Sequence, residues 1–374
     1  MTEERTEASN CPAITVIDTL PDLMISKALA KNPLLVQERA RLFRLAGNPA
    51  LGRKLVEDSI RHGGWTKAKL WWELVSLMAS PADYEVIRSL WLQSPDQTHG
   101  DPSIQRAVAR AAAVAGEHHE CRTMLRRLIL GTSQTIRSTA MARAKRALHE
   151  FARRSTFPAP PSKDDFSSRA AVALTDLNQA FSEVGIKAFL ISGTLLGQVR
   201  QGGIIGWDKD IDVGFFTEEC GIDLETHFMQ HRKFRLGRVD LTSDRLRIIH
   251  SNGMWIDVFP HYMEGDMRWH NGTATRWWNT PFALRKIEFL GIDQYVPDDP
   301  ERYLDENYGD WRTPNSNFDA RIDAPNAEIS DPEHFVSLLF FSLEKSIRDR
   351  KQLMKRRYID LLRSQGEGAW LDRI

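Results

Sequence analysis

The stretch Phe189–Phe216, FLISGTLLGQVRQGGIIGWDKDIDVGFF, constrains this chain more than any other. Apolar Phe189, Leu190 and Ile191 read as a strand that halts at a Ser192-Gly193-Thr194 turn. Leu195 to Arg200 suits a short helix, and Gly202-Gly203 ends it. Asp210-Ile211-Asp212-Val213 then alternates polar and apolar, as a half-buried strand does. The alternation puts Asp210 and Asp212 on one face, roughly 6.5–7 Å apart along the strand. Two carboxylates so placed repel each other, and a divalent cation between them keeps both ionised. The turn ahead of the helix offers amides and a helix N-terminus to an anion.

A third acid follows. Strands are expected over 234–239 and 245–250, and Asn252-Gly253 is a strong hairpin signal before Met254–Phe259. Within Met254-Trp255-Ile256-Asp257-Val258-Phe259-Pro260 a lone carboxylate sits in an otherwise apolar strand. Burying Asp257 is costly unless it meets a cation or several donors. A third ligand facing Asp210 and Asp212 across adjacent strands is the favoured reading; an Asp bonded to nearby backbone amides is the blander one. A phosphate turn, an Asp-x-Asp strand and a third acid make the arrangement of the nucleotidyltransferase fold. The expected class is therefore α+β, with a mixed β-sheet core, and an amphipathic helix over 165–185 leads into it.

Around this core the sequence bears a specific resemblance. GTLLGQVRQGGIIGWDKDIDVGFF resembles the core of the LicD/fukutin-like family of phosphotransferases, which reads much like GTLLGAVRHGGFIPWDDDIDI. WIDVFP resembles that family's later IDIFP strand. A third block agrees, from Trp278-Asn279-Thr280-Pro281-Phe282 through Lys286–Gly291 to Tyr308-Gly309-Asp310-Trp311-Arg312-Thr313-Pro314. The resemblance covers about residues 165–320 and is silent on 1–155. Departures are few: Gly206 replaces the usual Pro, Lys209 replaces an acid, and Gln201 stands where His is common.

What the resemblance implies is metal-dependent transfer of a phospho-alcohol, such as phosphocholine or ribitol or glycerol phosphate. The donor would be CDP-activated, the acceptor a hydroxyl of a cell-surface glycan or glycolipid, and the product CMP. Asp210 and Asp212 would hold Mg²⁺ or Mn²⁺ on the donor diphosphate, with Asp257 completing the metal site or taking the acceptor proton. Ser192, Gly193 and Thr194 would contact phosphate oxygens. Arg200 follows the turn by one helix length and is a candidate phosphate contact, as is Lys286 beside Arg285; solvated helix-end and strand-end cations are the bland alternatives. Asp208 is an outer-shell group or a strand-start cap. Trp277-Trp278 suits a stacking platform or, more commonly, core packing. Tyr308–Trp311 is expected to pack the domain. His250, His261 and His270 are not spaced like a zinc set and read as structural or solvent-facing. Two competing readings are a nucleotidyltransferase that releases pyrophosphate, and a non-catalytic helical adaptor with a degenerate core.

The remainder of the 374 residues frames this domain. Residues 1–16 read as disordered and 17–155 as all-helical and possibly repeat-like, though no repeat signature recurs. Arg106–Arg154 carries eleven Lys or Arg against three acids. That is either a surface for an anionic partner, membrane headgroups included, or a solvated helical face. Nucleic acid is disfavoured, because interleaved aromatics are missing and the formal net charge is zero. A Pro-rich linker is expected at 156–164 and the LicD-like domain at 165–325. In the C-terminal segment 326–374, Glu333–Ser364 reads as one long amphipathic helix with a basic centre, packed back on the protein or laid against a membrane. Three scattered cysteines and no leader-like N-terminus suggest a cytoplasmic protein, peripheral at most to the inner membrane face.

Overall fold

The computed structural model describes residues 32–45, 48–137, 163–205, 209–237 and 241–374. The expected disordered N-terminus, residues 138–154 of the basic stretch and residues 156–162 of the Pro-rich linker lie outside them. The chain divides into two compact units, Met1–Met124 and Leu125–Ile374.

The first unit is helical. It comprises α1 (Pro33–Leu45), α2 (Pro49–Ser59), α3 (Ala68–Ser76), α4 (Tyr84–Gln93), the one-turn α5 (Asp96–His99), α6 (Pro102–Val114) and the start of α7 (His118–Arg137). Asn-Pro and Asp-Pro pairs begin helices here. The Asn48 side chain accepts the Leu51 amide ahead of α2, and Asp101 accepts those of Ser103 and Ile104 ahead of α6. The alanine run has a packing role: Ala107, Ala111 and Ala112 are fully buried, which lets α6 close on α3 and α4. Trp71 and Trp91 meet edge-on at 6.1 Å in that core.

The second unit holds a mixed sheet. After α8 (Lys163–Ser182) come β1 (Phe189–Leu190), α9 (Ser192–Gln201), β2 (Asp210–Phe216), α10 (Leu224–Gln230), β3 (Phe234–Leu236), β4 (Leu246–His250) and β5 (Trp255–Glu264). Next are β6 (Met267–Gly272), β7 (Thr275–Asn279), β8 (Leu284–Phe289), β9 (Ile292–Pro297), α11 (Pro300–Tyr308), α12 (Ala320–Asp323), β10 (Ala327–Ile329), α13 (Pro332–Arg348) and α14 (Gln352–Ser364). Spatial order is β10-β7-β6-β5-β2-β1-β9-β8, with β4 also on β5 and β3 on β4. β2 runs parallel to β5 and antiparallel to β1. Ile211, Val213, Ile256, Val258 and Ile248, all but inaccessible, share one face and one core with Ala173, Leu174, Leu177 and Phe181 of α8. The opposite face is left to the acids. His250 ties β4 to α8 through Asp176 at 2.9 Å, and Lys233 joins the same carboxylate at 2.6 Å.

The expected single C-terminal helix is two helices. α13 ends at Arg348, Arg350 adopts φ 58°, and α14 begins at Gln352. After Ile347 the positions that would continue the apolar stripe are Arg350 and Lys351, so no buried face carries the helix through. Several of its basic residues are paired within the fold. Arg348 pairs with Glu344, Arg357 with Asp323 and Arg363 with Asp372, and Tyr358 donates to Asp319. In the same unit Arg126 of α7 pairs with Glu367 at 2.7 Å and lies over the Trp370 ring. Among the described residues no helix is long and apolar enough to cross a membrane.

Candidate active site

β1 gives way to α9 through a strained residue. Ser192 has φ 48°, in the left-handed region that non-glycine residues enter at a cost of order 1–3 kcal/mol. The turn is held against the acid strand by two bonds. The Ile191 amide donates to the Asp212 carbonyl at 3.2 Å, and the Asp212 amide donates to Thr194 Oγ1 at 2.9 Å. Thr194 is buried, so its hydroxyl fastens the turn to the Asp-x-Asp strand, whereas Ser192 and Gly193 stay half-exposed.

Gly197 explains another letter of the motif. A Cβ there would meet the Gly203 carbonyl oxygen at 2.5 Å, because α9 lies directly against the returning Gly203–Ile205 segment. Gly197→Ala should therefore cost about 1–3 kcal/mol of stability by pushing that segment off the helix, readable as a lowered urea midpoint. An unchanged midpoint would mean the segment yields freely.

The parallel register pairs Asp210 with Trp255 and Asp212 with Asp257, which sets all three acids on one face. Asp210 is 40% exposed and Asp257 only 3% at the side chain. Antiparallel pairing of β4 adds Arg247 directly opposite Asp257. Arg247 donates to both Asp257 oxygens, and Arg245 adds a bond to Oδ2 at 2.9 Å. Arg247 also comes within 3.9 Å of Asp210. These bonds keep its guanidinium firmly protonated. Burial, then the Asp257 charge, push the Asp210 carboxyl above the usual range, although both arginines pull the other way. Three carboxylates face two guanidiniums, and the excess negative charge falls on the Asp210–Asp212 side.

A cleft of about 600 Å³ opens beside the turn, lined by Gly193, Leu196, Arg200, Tyr308, Asp310 and Trp311 among others. Arg200 donates to the Trp311 carbonyl at 3.4 Å, so the Tyr308–Trp311 block both packs the domain and walls this cleft.

Other sequence candidates lie elsewhere. Lys286 is on β8, three strands from β2, where it is exposed and sits 3.7 Å from Asp293; Arg285 bonds the Asp298 carbonyl. Trp277 donates to the Ala320 carbonyl and Trp278 to Glu328, both away from the acids on β7. His261 and His270 stack at 4.6 Å, fully buried, and burial pushes His261 well down and His270 down to about 3, so both are neutral core residues. Asp208 lies outside the described residues. Sequence reasoning missed Arg245 and Arg247. Their Arg-x-Arg alternation before the Asn252-Gly253 hairpin was the available signal, since Arg247 and Asp257 are equidistant from Asn252.

This geometry can be set beside known proteins. Residues 185–299 match the family model described as LicD/FKTN/FKRP, nucleotidyltransferase domain. Over this segment the chain resembles the LicD family. Its relatives include the mouse ribitol-5-phosphate transferase FKTN, 31% identical over 173 residues, 44% of this chain and 37% of that protein. The human ribitol 5-phosphate transferase FKRP is 25% identical over 138 residues, 33% of this chain and 28% of that protein. An uncharacterized protein of Rickettsia typhi is 29% identical over 144 residues, 37% of this chain and 45% of that protein. The matches thus span less than half the length of each relative. The LicD segment contains the turn, all three acids, and Arg245 and Arg247.

Proposed function

We propose that this LicD-like chain transfers a phospho-alcohol from a CDP-activated donor to a glycan hydroxyl, releasing CMP, on a core of nucleotidyltransferase type. The observation that carries the reading is the shared face of Asp210, Asp212 and Asp257, with the Ser192-Gly193-Thr194 turn bonded to Asp212 beside it. Two relatives named as ribitol-5-phosphate transferases supply the class of group transferred. The donor's phosphates lie at the exposed turn, its nucleoside and alcohol extend into the 600 Å³ cleft, and Arg200 supplies a guanidinium there.

The donor set suits a hard divalent cation, Mg²⁺ or Mn²⁺. Asp210 and Asp212 would hold it, and the raised Asp210 carboxyl is the excess negative charge such an ion relieves. When bound, the metal neutralises charge on the diphosphate and polarises the phosphorus under attack. Asp257 differs from the third-ligand expectation: its oxygens are taken up by Arg245 and Arg247, so it positions Arg247 beside Asp210. Cys121 and Cys220 stand as thiols, which suits a reducing, cytoplasmic setting for the reaction.

Purified protein incubated with CDP-ribitol, CDP-choline and CDP-glycerol should release CMP only when Mg²⁺ or Mn²⁺ is supplied. Release of pyrophosphate from nucleoside triphosphates instead would replace this reading with nucleotidyl transfer. Failure to bind either cation would revive the adaptor.

A further inference from the structure

Trp255 is the feature the reaction has not used. It opens β5, pairs with Asp210 across the parallel ladder and lies on the acid face, yet its surface is 41% exposed. A lone exposed apolar residue needs no explanation. This one is bordered by reactive polar groups, with the Arg247 guanidinium 5.6 Å from its ring centre and Asp210 as its ladder partner. An exposed indole with a guanidinium over its ring on one side and a carboxylate as ladder neighbour matches a ligand that has an apolar face and a polar edge. A sugar ring is such a ligand: its C–H face covers the indole while its hydroxyls reach the charges.

The side of the sheet decides which substrate that sugar belongs to. The phosphate turn and its cleft lie on the β1 flank of β2, and Trp255 lies on the β5 flank. With the donor filling the first flank, the second is left for the acceptor. Arg247 and Asp210 stand 3.9 Å apart, beyond a direct hydrogen bond and suited to a bridging hydroxyl. We propose that Trp255 is the stacking platform for one ring of the glycan acceptor, with Arg247 holding its hydroxyls beside Asp210. This rests on the transfer reaction inferred above.

Saturation-transfer NMR with a panel of methyl glycosides (galactose, glucose, mannose, N-acetylglucosamine and N-acetylgalactosamine) tests it without turnover. At least one glycoside should receive saturation at its ring C–H protons from the unaltered protein. Trp255→Ala should weaken its apparent Kd about tenfold, and Trp255→Phe should retain most of the signal. Asp212→Asn should keep sugar binding while losing CMP release, which separates this site from the chemistry. Equal signals from Trp255→Ala and the unaltered protein, or no glycoside response at all, would overturn the platform. Absence of CMP release from every CDP-alcohol, with Trp255-dependent sugar binding intact, would sink the reaction and leave the sugar site standing.

Discussion

Asp212→Asn should reduce CMP release by at least about a thousandfold, the several kcal/mol of transition-state charge stabilisation that a lost metal site forfeits. Asp210→Asn should do the same. Asp210→Asn should not weaken the fold. Burial and the neighbouring Asp257 raise the Asp210 carboxyl, and a raised carboxyl favours the fold only at acid pH. That contribution is lost as pH rises through the folded value, so at neutral pH the ionised Asp210 is a cost that asparagine removes. Asp210→Asn should therefore melt at or above the metal-free parent, and both variants should fail to gain Tm from Mn²⁺. Retained turnover in either variant would remove the metal site from the proposal. A collapsed Tm would instead make the loss of activity a matter of folding.

The features legible in the sequence were those whose signal is local. Asp210 and Asp212 follow from a period-two alternation, the turn from Ser-Gly-Thr between a strand and a helix, and Asp257 from a charge in an apolar run. Each needs only its own neighbours. The arginine pair needs two non-local facts: the register of the β4–β5 hairpin and the adjacency of β5 to β2, which are separated by α10, β3 and β4 in the chain. Lys286 misled for the same reason. It is close in sequence to other family blocks, but strand order carries β8 to the far edge of the sheet. In the sequence the Tyr308–Trp311 block reads as packing, because aromatics beside a turn usually pack. Its second role, walling the cleft against Arg200, appears only once α11 is placed near α9. The split of the C-terminal helix was visible in principle, since Arg348-Asp349-Arg350-Lys351 interrupts the apolar stripe over a full turn.

Asp257→Leu should destabilise the second unit by about 3–5 kcal/mol, the largest stability effect expected at the site. The carboxylate is only 3% exposed and is the common partner of Arg245 and Arg247, which are 23% and 28% exposed. Removing it leaves two guanidiniums facing each other on adjacent positions of one sheet face, with neither able to shed its charge. The triple variant Arg245→Leu, Arg247→Leu, Asp257→Leu should recover most of that loss, because an apolar triad of similar volume needs no charge compensation. Urea denaturation at constant m-value reads both. Equal stability of Asp257→Leu and the parent would show that solvent screens the pair and that Asp257 is free for a metal. The recovered triple variant should nevertheless release no CMP, since Arg247, 3.9 Å from Asp210, is gone from the reacting face. That combination, stability restored and activity absent, separates the positioning role of the Arg–Asp–Arg cluster from its contribution to the fold: a cluster kept for stability alone would lose nothing in the apolar version.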